Sequence, residues 1–142
     1  MAFFCFWHGL FCNLGPMRHT LSKSERLKSR KAIGELFAKG KSVRHQPLVL
    51  IYAPMELPEA VPTQIAVSVS KRRFKHAVDR NRVKRQIREA YRLNKELLNI
   101  TSDKQYALAF VYIHHIKIPY AQINTAMQRC LADFSKQTKA VQ

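Results

Sequence analysis

The chain has 142 residues, 46% hydrophobic and 10% aromatic, which allows one domain with a core and excludes wholesale disorder. Twenty-five Lys and Arg stand against nine Asp and Glu, a formal charge of +16. A compact chain so charged repels itself until a polyanion neutralises it, which points to nucleic acid ahead of a membrane surface.

The first sixteen residues, Met1 to Pro16, contain no Lys, Arg, Asp or Glu. They are too short to span a bilayer and lack the positive start and small-residue cleavage site of a signal peptide. Met17 opens a more ordinary beginning, so residues 1–19 read as a disordered extension. Cys5, His8, Cys12 and His19 cluster there, but their spacing fits no common zinc pattern and no metal site is assigned. With Cys130 the cysteine count is three, odd and sparse, which suits a reducing cytoplasm better than a disulfide scaffold.

From Ser22 the pattern becomes regular. Ser29 is placed to cap a helix to about Ala38, with Ile33, Leu36 and Phe37 on one face and Gly40 just past its end. Ser22 with Glu25 offers a competing capping box. A short strand is expected near Ser42–Arg44 and a longer one over Leu48–Ala53. Pro54, Pro58 and Pro62 then mark a loop that should not pair as sheet. Gln64 to Ser70 alternates: Ile65, Val67 and Val69 face one way, and the small or polar Gln64, Ala66, Ser68 and Ser70 the other. A long helix over about Ala77–Leu98 follows, then a strand over Tyr106–Ile113. Pro119 fits the first turn of a last helix with Ile123, Met127, Cys130, Leu131 and Phe134 at core spacing. The order α-β-β-(β)-α-β-α predicts an α/β (α+β) two-layer sandwich with one mixed sheet of about four strands. Residues 20–136 form the single domain and 137–142 a polar tail.

Ten of the basic residues lie between Lys71 and Arg92, against Asp79 and Glu89 alone. At 100° per residue, Val83, Ile87, Ala90 and Tyr91 fall on one arc and can bury. Asn81, Lys84, Arg85, Arg88 and Arg92 fall on the neighbouring arc, with Arg80 at the border and Arg82 on the far side. A solvated charged face normally mixes signs, and this one barely does. Arg outnumbers Lys seven to three in the block; its flat fork grips phosphate bidentately and stacks on bases. Asn81 adds a neutral group able to meet a 2′-hydroxyl or a base edge. Composition alone supports RNA or DNA binding without choosing between them.

Ser70-Lys71-Arg72, then Ala77, then Arg80-Asn81-Arg82 followed by Lys84-Arg85 and Arg88, resembles the signature of the bacterial ribonuclease P protein component. The resemblance covers roughly Ser24 to Phe134, with Arg26-Leu27 before a helix, Phe37 and Gly40 at its end, and the Ile65–Ser70 strand feeding the motif. It implies a left-handed βαβ crossover, which the usual rule would not favour. It implies that Arg80, Asn81, Arg82, Lys84, Arg85 and Arg88 meet a catalytic RNA. It places the 5′ leader of precursor tRNA in a cleft with Phe37, Ser70, Lys71 and Arg72. Two departures stand out. Ile33 occupies the position one turn before Phe37 where an aromatic is often expected. The last strand, Phe110 to His115, ends without the Arg often found there, leaving Tyr112, His114 or His115 to substitute.

The resemblance further implies that the RNA holds the active site of this endoribonuclease, with Mg²⁺ serving the RNA and no cofactor or metal bound by the protein. No catalytic residue is assigned to the protein. The acids after residue 60, Asp79, Glu89, Glu96, Asp103 and Asp133, show no metal-pair spacing, and no Ser/His/Asp set emerges. The expected partners are the catalytic RNA and precursor tRNA, with no DNA, no membrane and no need of a protein oligomer. The alternative is a ribosomal-type structural RNA-binding protein without a processing role. A protein-only nuclease would cleave without RNA, and a helix-turn-helix DNA binder is disfavoured because the basic helix is followed by a strand.

Overall fold

A computed structural model describes residues 21–58, 60–98, 100 and 104–140. The extension over residues 1–19, with Cys5, His8, Cys12 and His19, lies outside them, as do the last two residues. The elements are α1 (Arg30–Lys39), β1 (Lys41–His45), β2 (Leu48–Pro54), β3 (Thr63–Val69), α2 (Ala77–Asn94), a 3₁₀ turn (Lys95–Leu97), β4 (Tyr106–Tyr112) and α3 (Tyr120–Ala140). The strands form one mixed sheet in the order β1-β2-β4-β3. The first two pairings are antiparallel, while β3 runs parallel to β4, so β3-α2-β4 is a βαβ unit with adjacent strands.

Alternation along the strands builds two cores. Leu48, Leu50, Ile65, Leu108 and Phe110 bury against Val83, Ile87 and Tyr91 of α2 and Ile123, Met127, Leu131 and Phe134 of α3. On the opposite face Ala53, Ala107 and Ala109 are small, and α1 settles onto them through Leu36 with Ile33 packed alongside. The single mixed four-stranded sheet is as expected, and α1 adds a partial layer on the second face.

Ser29 caps α1 by accepting the Ala32 N–H at 3.3 Å, and the Gly40 N–H closes the far end on the Leu36 carbonyl at 2.8 Å. Ser22 and Glu25 complete only half of their box: the Ser22 N–H donates to Glu25 at 3.1 Å, and no helix follows. The reason is strand pairing. Leu27 N–H donates to the Ile65 carbonyl at 2.8 Å and Ile65 N–H to the Glu25 carbonyl at 2.7 Å, so residues 25–27 strap the outer edge of β3.

Four boundaries differ from the sequence reading. Pro54 ends β2, paired with Tyr106; it is tolerated because β1 reaches only as far as Tyr52 and needs no N–H there. The long helix gives way after Asn94, whose side-chain amide donates to the Ala90 carbonyl at 2.7 Å, and a 3₁₀ turn follows. Pro119 precedes α3, its carbonyl accepting the Gln122 N–H at 3.1 Å. The polar stretch from residue 137, expected as a tail, stays helical to Ala140: the Tyr52 hydroxyl donates to Gln137, and the Ser135 hydroxyl donates to the Leu97 carbonyl at 2.8 Å.

Candidate nucleic-acid interface

The arc of α2 assigned to the core is buried at Val83, Ile87, Ala90 and Tyr91. Tyr91 brings a hydroxyl inside, where Thr63 Oγ1 meets it at 3.1 Å; burial pushes the phenol up to about 12. The remaining arc is cationic. Asn81, Arg82 and Arg85 are exposed, and Lys84 and Arg88 are partly so. Among the described residues no hydrogen bond or ion pair engages these five side chains. The two acids of the helix have cations of their own. Asp79 pairs with Lys117, and Glu89 accepts Arg92 Nε at 2.9 Å. Those hydrogen bonds hold both carboxyls below their usual values, and of the exposed arc only Arg82 adds its charge to the pull on Asp79.

Arg80 is different. Its Nη1 donates to the carbonyls of Phe74 and Lys75, each at 2.8 Å. The guanidinium thereby ties the Lys71–Lys75 loop to the first turn of α2. Ser70 holds the other end: its carbonyl accepts the N–H groups of Arg73 and Phe74, both at 3.2 Å, and its hydroxyl accepts the Arg72 N–H at 3.2 Å. Lys71 and Arg72 stand exposed on this loop, while Phe74 is buried beneath it. Arg73 Nη1 is buried with no partner among the described residues, a feature that no sequence pattern marked.

The second surface is the sheet face carrying α1. The register aligns Arg44 with Val49, Val49 with Val111, and Val111 with Ser68, one row across all four strands. Strand alternation turns this row to the same side as Ala109 and Ala66, but it lies beyond the patch that α1 covers. Arg44 and Ser68 are exposed and the two valines half-buried. Phe37 is 48% exposed, whereas its neighbour Leu36 is fully buried, so the ring is not spent on the core. Arg44 was not singled out by sequence, because its place in this row follows from strand register alone.

Tyr112 cannot substitute for a missing strand-end Arg. Its ring is buried on the opposite face against Phe74, and its hydroxyl donates to the Ile116 carbonyl at 2.7 Å. His114 and His115 follow it, the first half-buried and the second exposed, beside the end of β3. Among the described residues no cluster of three His, Cys, Asp or Glu is arranged to hold a metal, and no helix is long and apolar enough to cross a membrane.

The family profile described as ribonuclease P matches residues 21–135 of this chain. The chain belongs to the ribonuclease P protein family. A ribonuclease P protein component of Porphyromonas gingivalis strain ATCC 33277 is 43% identical over 119 residues, covering 82% of this chain and 87% of the relative. That of Chlorobaculum tepidum is 36% identical over 104 residues, covering 66% and 68%. The fold is also that of the Staphylococcus aureus RNase P protein, at 23% identity and a TM-score of 0.64 over 79% of this chain and 96% of that one. The Thermotoga maritima RNase P protein gives 19% identity and a TM-score of 0.62 over 77% and 96%. As a ribonuclease P protein component, the chain is a subunit of a ribonucleoprotein endonuclease of tRNA 5′ processing. The ribosomal-type alternative is not favoured.

Proposed function

We propose that this chain uses two surfaces for two RNAs. The exposed arc of α2, with Asn81, Arg82, Lys84, Arg85 and Arg88, binds the catalytic RNA. Arg80 serves the same surface by fixing the loop at its edge. The open row of the sheet, flanked by Phe37 on α1 and by Ser70, Lys71 and Arg72 after β3, receives the 5′ leader of precursor tRNA. The observation that carries this reading is the cationic arc of α2, whose side chains make no hydrogen bond or ion pair among the described residues, beside a sheet face that α1 leaves partly open.

The protein's contribution is electrostatic and positional. Its cations offset the phosphate repulsion that opposes bringing leader and catalytic RNA together, and the cleft orients the leader at the scissile bond. Bond cleavage, with its Mg²⁺ ions, belongs to the RNA. Such a subunit works in the cytoplasm with no protein oligomer, DNA or membrane required. The test is filter binding of the full chain to its cognate catalytic RNA and, as holoenzyme, to precursor and mature tRNA. Tight binding to the catalytic RNA and a preference for the leader-bearing substrate are expected; equal affinity for precursor and mature tRNA would remove the cleft assignment.

A further inference from the structure

The strap that covers the edge of β3 brings a guanidinium to α2 from outside the Arg-Asn-Arg helix. Arg26 pairs through its backbone with Ile65, and its side chain lines a groove of about 730 Å³ between the strap, α2 and the start of α3. Arg85, Arg88 and Arg92 line the same groove, with Leu21 and Tyr120 as its apolar wall. Arg92 is held by Glu89, the one carboxylate in the lining. Among the described residues no acid or carbonyl meets the side chains of Arg26, Arg85 or Arg88.

We infer that Arg26 and Arg88 form a notch for a single backbone phosphate of the catalytic RNA. Two forks converging beside an apolar wall match a phosphodiester with its ribose: the forks take the non-bridging oxygens, and the wall takes the sugar. The free protein bears a cost for this arrangement. Partial burial first, and the like charge of Arg26 second, push the Arg88 guanidinium down from its usual value. A phosphate placed between them removes that repulsion. The catalytic RNA is chosen over the leader because the groove opens on α2, whereas the leader cleft lies on the opposite sheet face, beside α1.

The inference rests on the proposed α2 interface, and a test separates the two. The full chain and its R26A, R88A, R26A/R88A and R82A variants are titrated with catalytic RNA alone at several salt concentrations. If one phosphate is shared, R26A and R88A each weaken binding about tenfold. Each also lowers the salt slope by about 0.9, because the notch holds its phosphate only with both forks present. The double variant does little more than either single one, in affinity and in slope, because the same contact is lost once. Multiplying losses and a slope change near twice that size would mean two separate phosphates and overturn the notch. So would an unaffected R26A while R82A weakens binding; if neither variant weakens binding, the α2 interface itself falls. Melting without RNA supplies an independent readout: R26A is expected to melt at or above the parent because a repulsion has gone. A drop of several degrees would make Arg26 a structural strap residue instead.

Discussion

Arg80 reaches back from the first turn of α2 and donates to the carbonyl of Phe74 at 2.8 Å. The same nitrogen meets the Lys75 carbonyl, so one guanidinium ties α2 to the loop that carries Lys71 and Arg72. Arg82, two residues on, has no such contact among the described residues. Hydrogen bonds from a charged donor contribute about 1.5–3 kcal/mol when buried, and partial exposure here brings that toward about 1 kcal/mol. Arg80→Ala is therefore expected to lower the melting temperature by a few degrees, with Arg82→Ala unchanged. Equal melting of the two variants would contradict the tether.

Gly40 is required by a close approach. A Cβ there would stand 2.4 Å from the Leu36 carbonyl oxygen and 2.6 Å from Ile51 Cγ2. The carbonyl is backbone and cannot swing aside, so α1 would have to lift from β2. Gly40→Ala is expected to cost about 1–3 kcal/mol in denaturant unfolding, the range of overpacking. Because Gly34 has open space where its Cβ would go, Gly34→Ala should be neutral or stabilising. Similar destabilisation by both substitutions would refute the steric argument.

Phe37 and the α2 cations should fail differently. Arg82→Ala is expected to weaken catalytic-RNA binding and flatten its salt dependence. Phe37→Leu keeps the apolar bulk on α1 and should leave that binding intact while reducing the preference for precursor over mature tRNA. A base stacked on an aromatic contributes roughly 1–3 kcal/mol, a range that makes the loss measurable. If Phe37→Leu weakens catalytic-RNA binding as much as Arg82→Ala does, the two surfaces are one.

Alkaline unfolding follows from two buried acids. Burial raises Tyr91 from 10.0 to about 12 and Cys130 from 9.0 to about 12. A raised folded value means that the folded state holds its proton while the unfolded state releases it. The stabilisation is complete below the unfolded values and declines as pH rises toward about 12. Stability should fall from about pH 9 upward, and Cys130→Ala should flatten the first part of that decline. A melting temperature constant between pH 9 and 11 would show that neither group is coupled to folding.

Much of this was legible in the sequence because period and burial agree. The Val83, Ile87, Ala90 and Tyr91 arc and the Ile123-to-Phe134 stripe went where their spacing sent them. Ser29 and Gly40 bounded α1 because caps act over one turn. What escaped depends on contacts between distant segments. Nothing local says that Arg80 turns back on its own loop or that Arg26 lines one groove with Arg88. Ser22 and Glu25 looked like a helix start until strand pairing claimed residues 25–27. Tyr112 stands near the strand end where an Arg is often found, yet strand parity turns it inward. The row from Arg44 to Ser68 needs three strand registers, none of which a single strand encodes.

Cleavage of the 5′ leader at low Mg²⁺ by RNA-free protein, by cognate catalytic RNA and by the two together decides whether the protein assists RNA catalysis without cutting by itself. The expected result is no cleavage by the protein alone, slow cleavage by the RNA alone, and a large acceleration when they are combined. Mg²⁺-dependent cleavage at the same bond by scrupulously RNA-free protein, or no acceleration on combining the two, would contradict it.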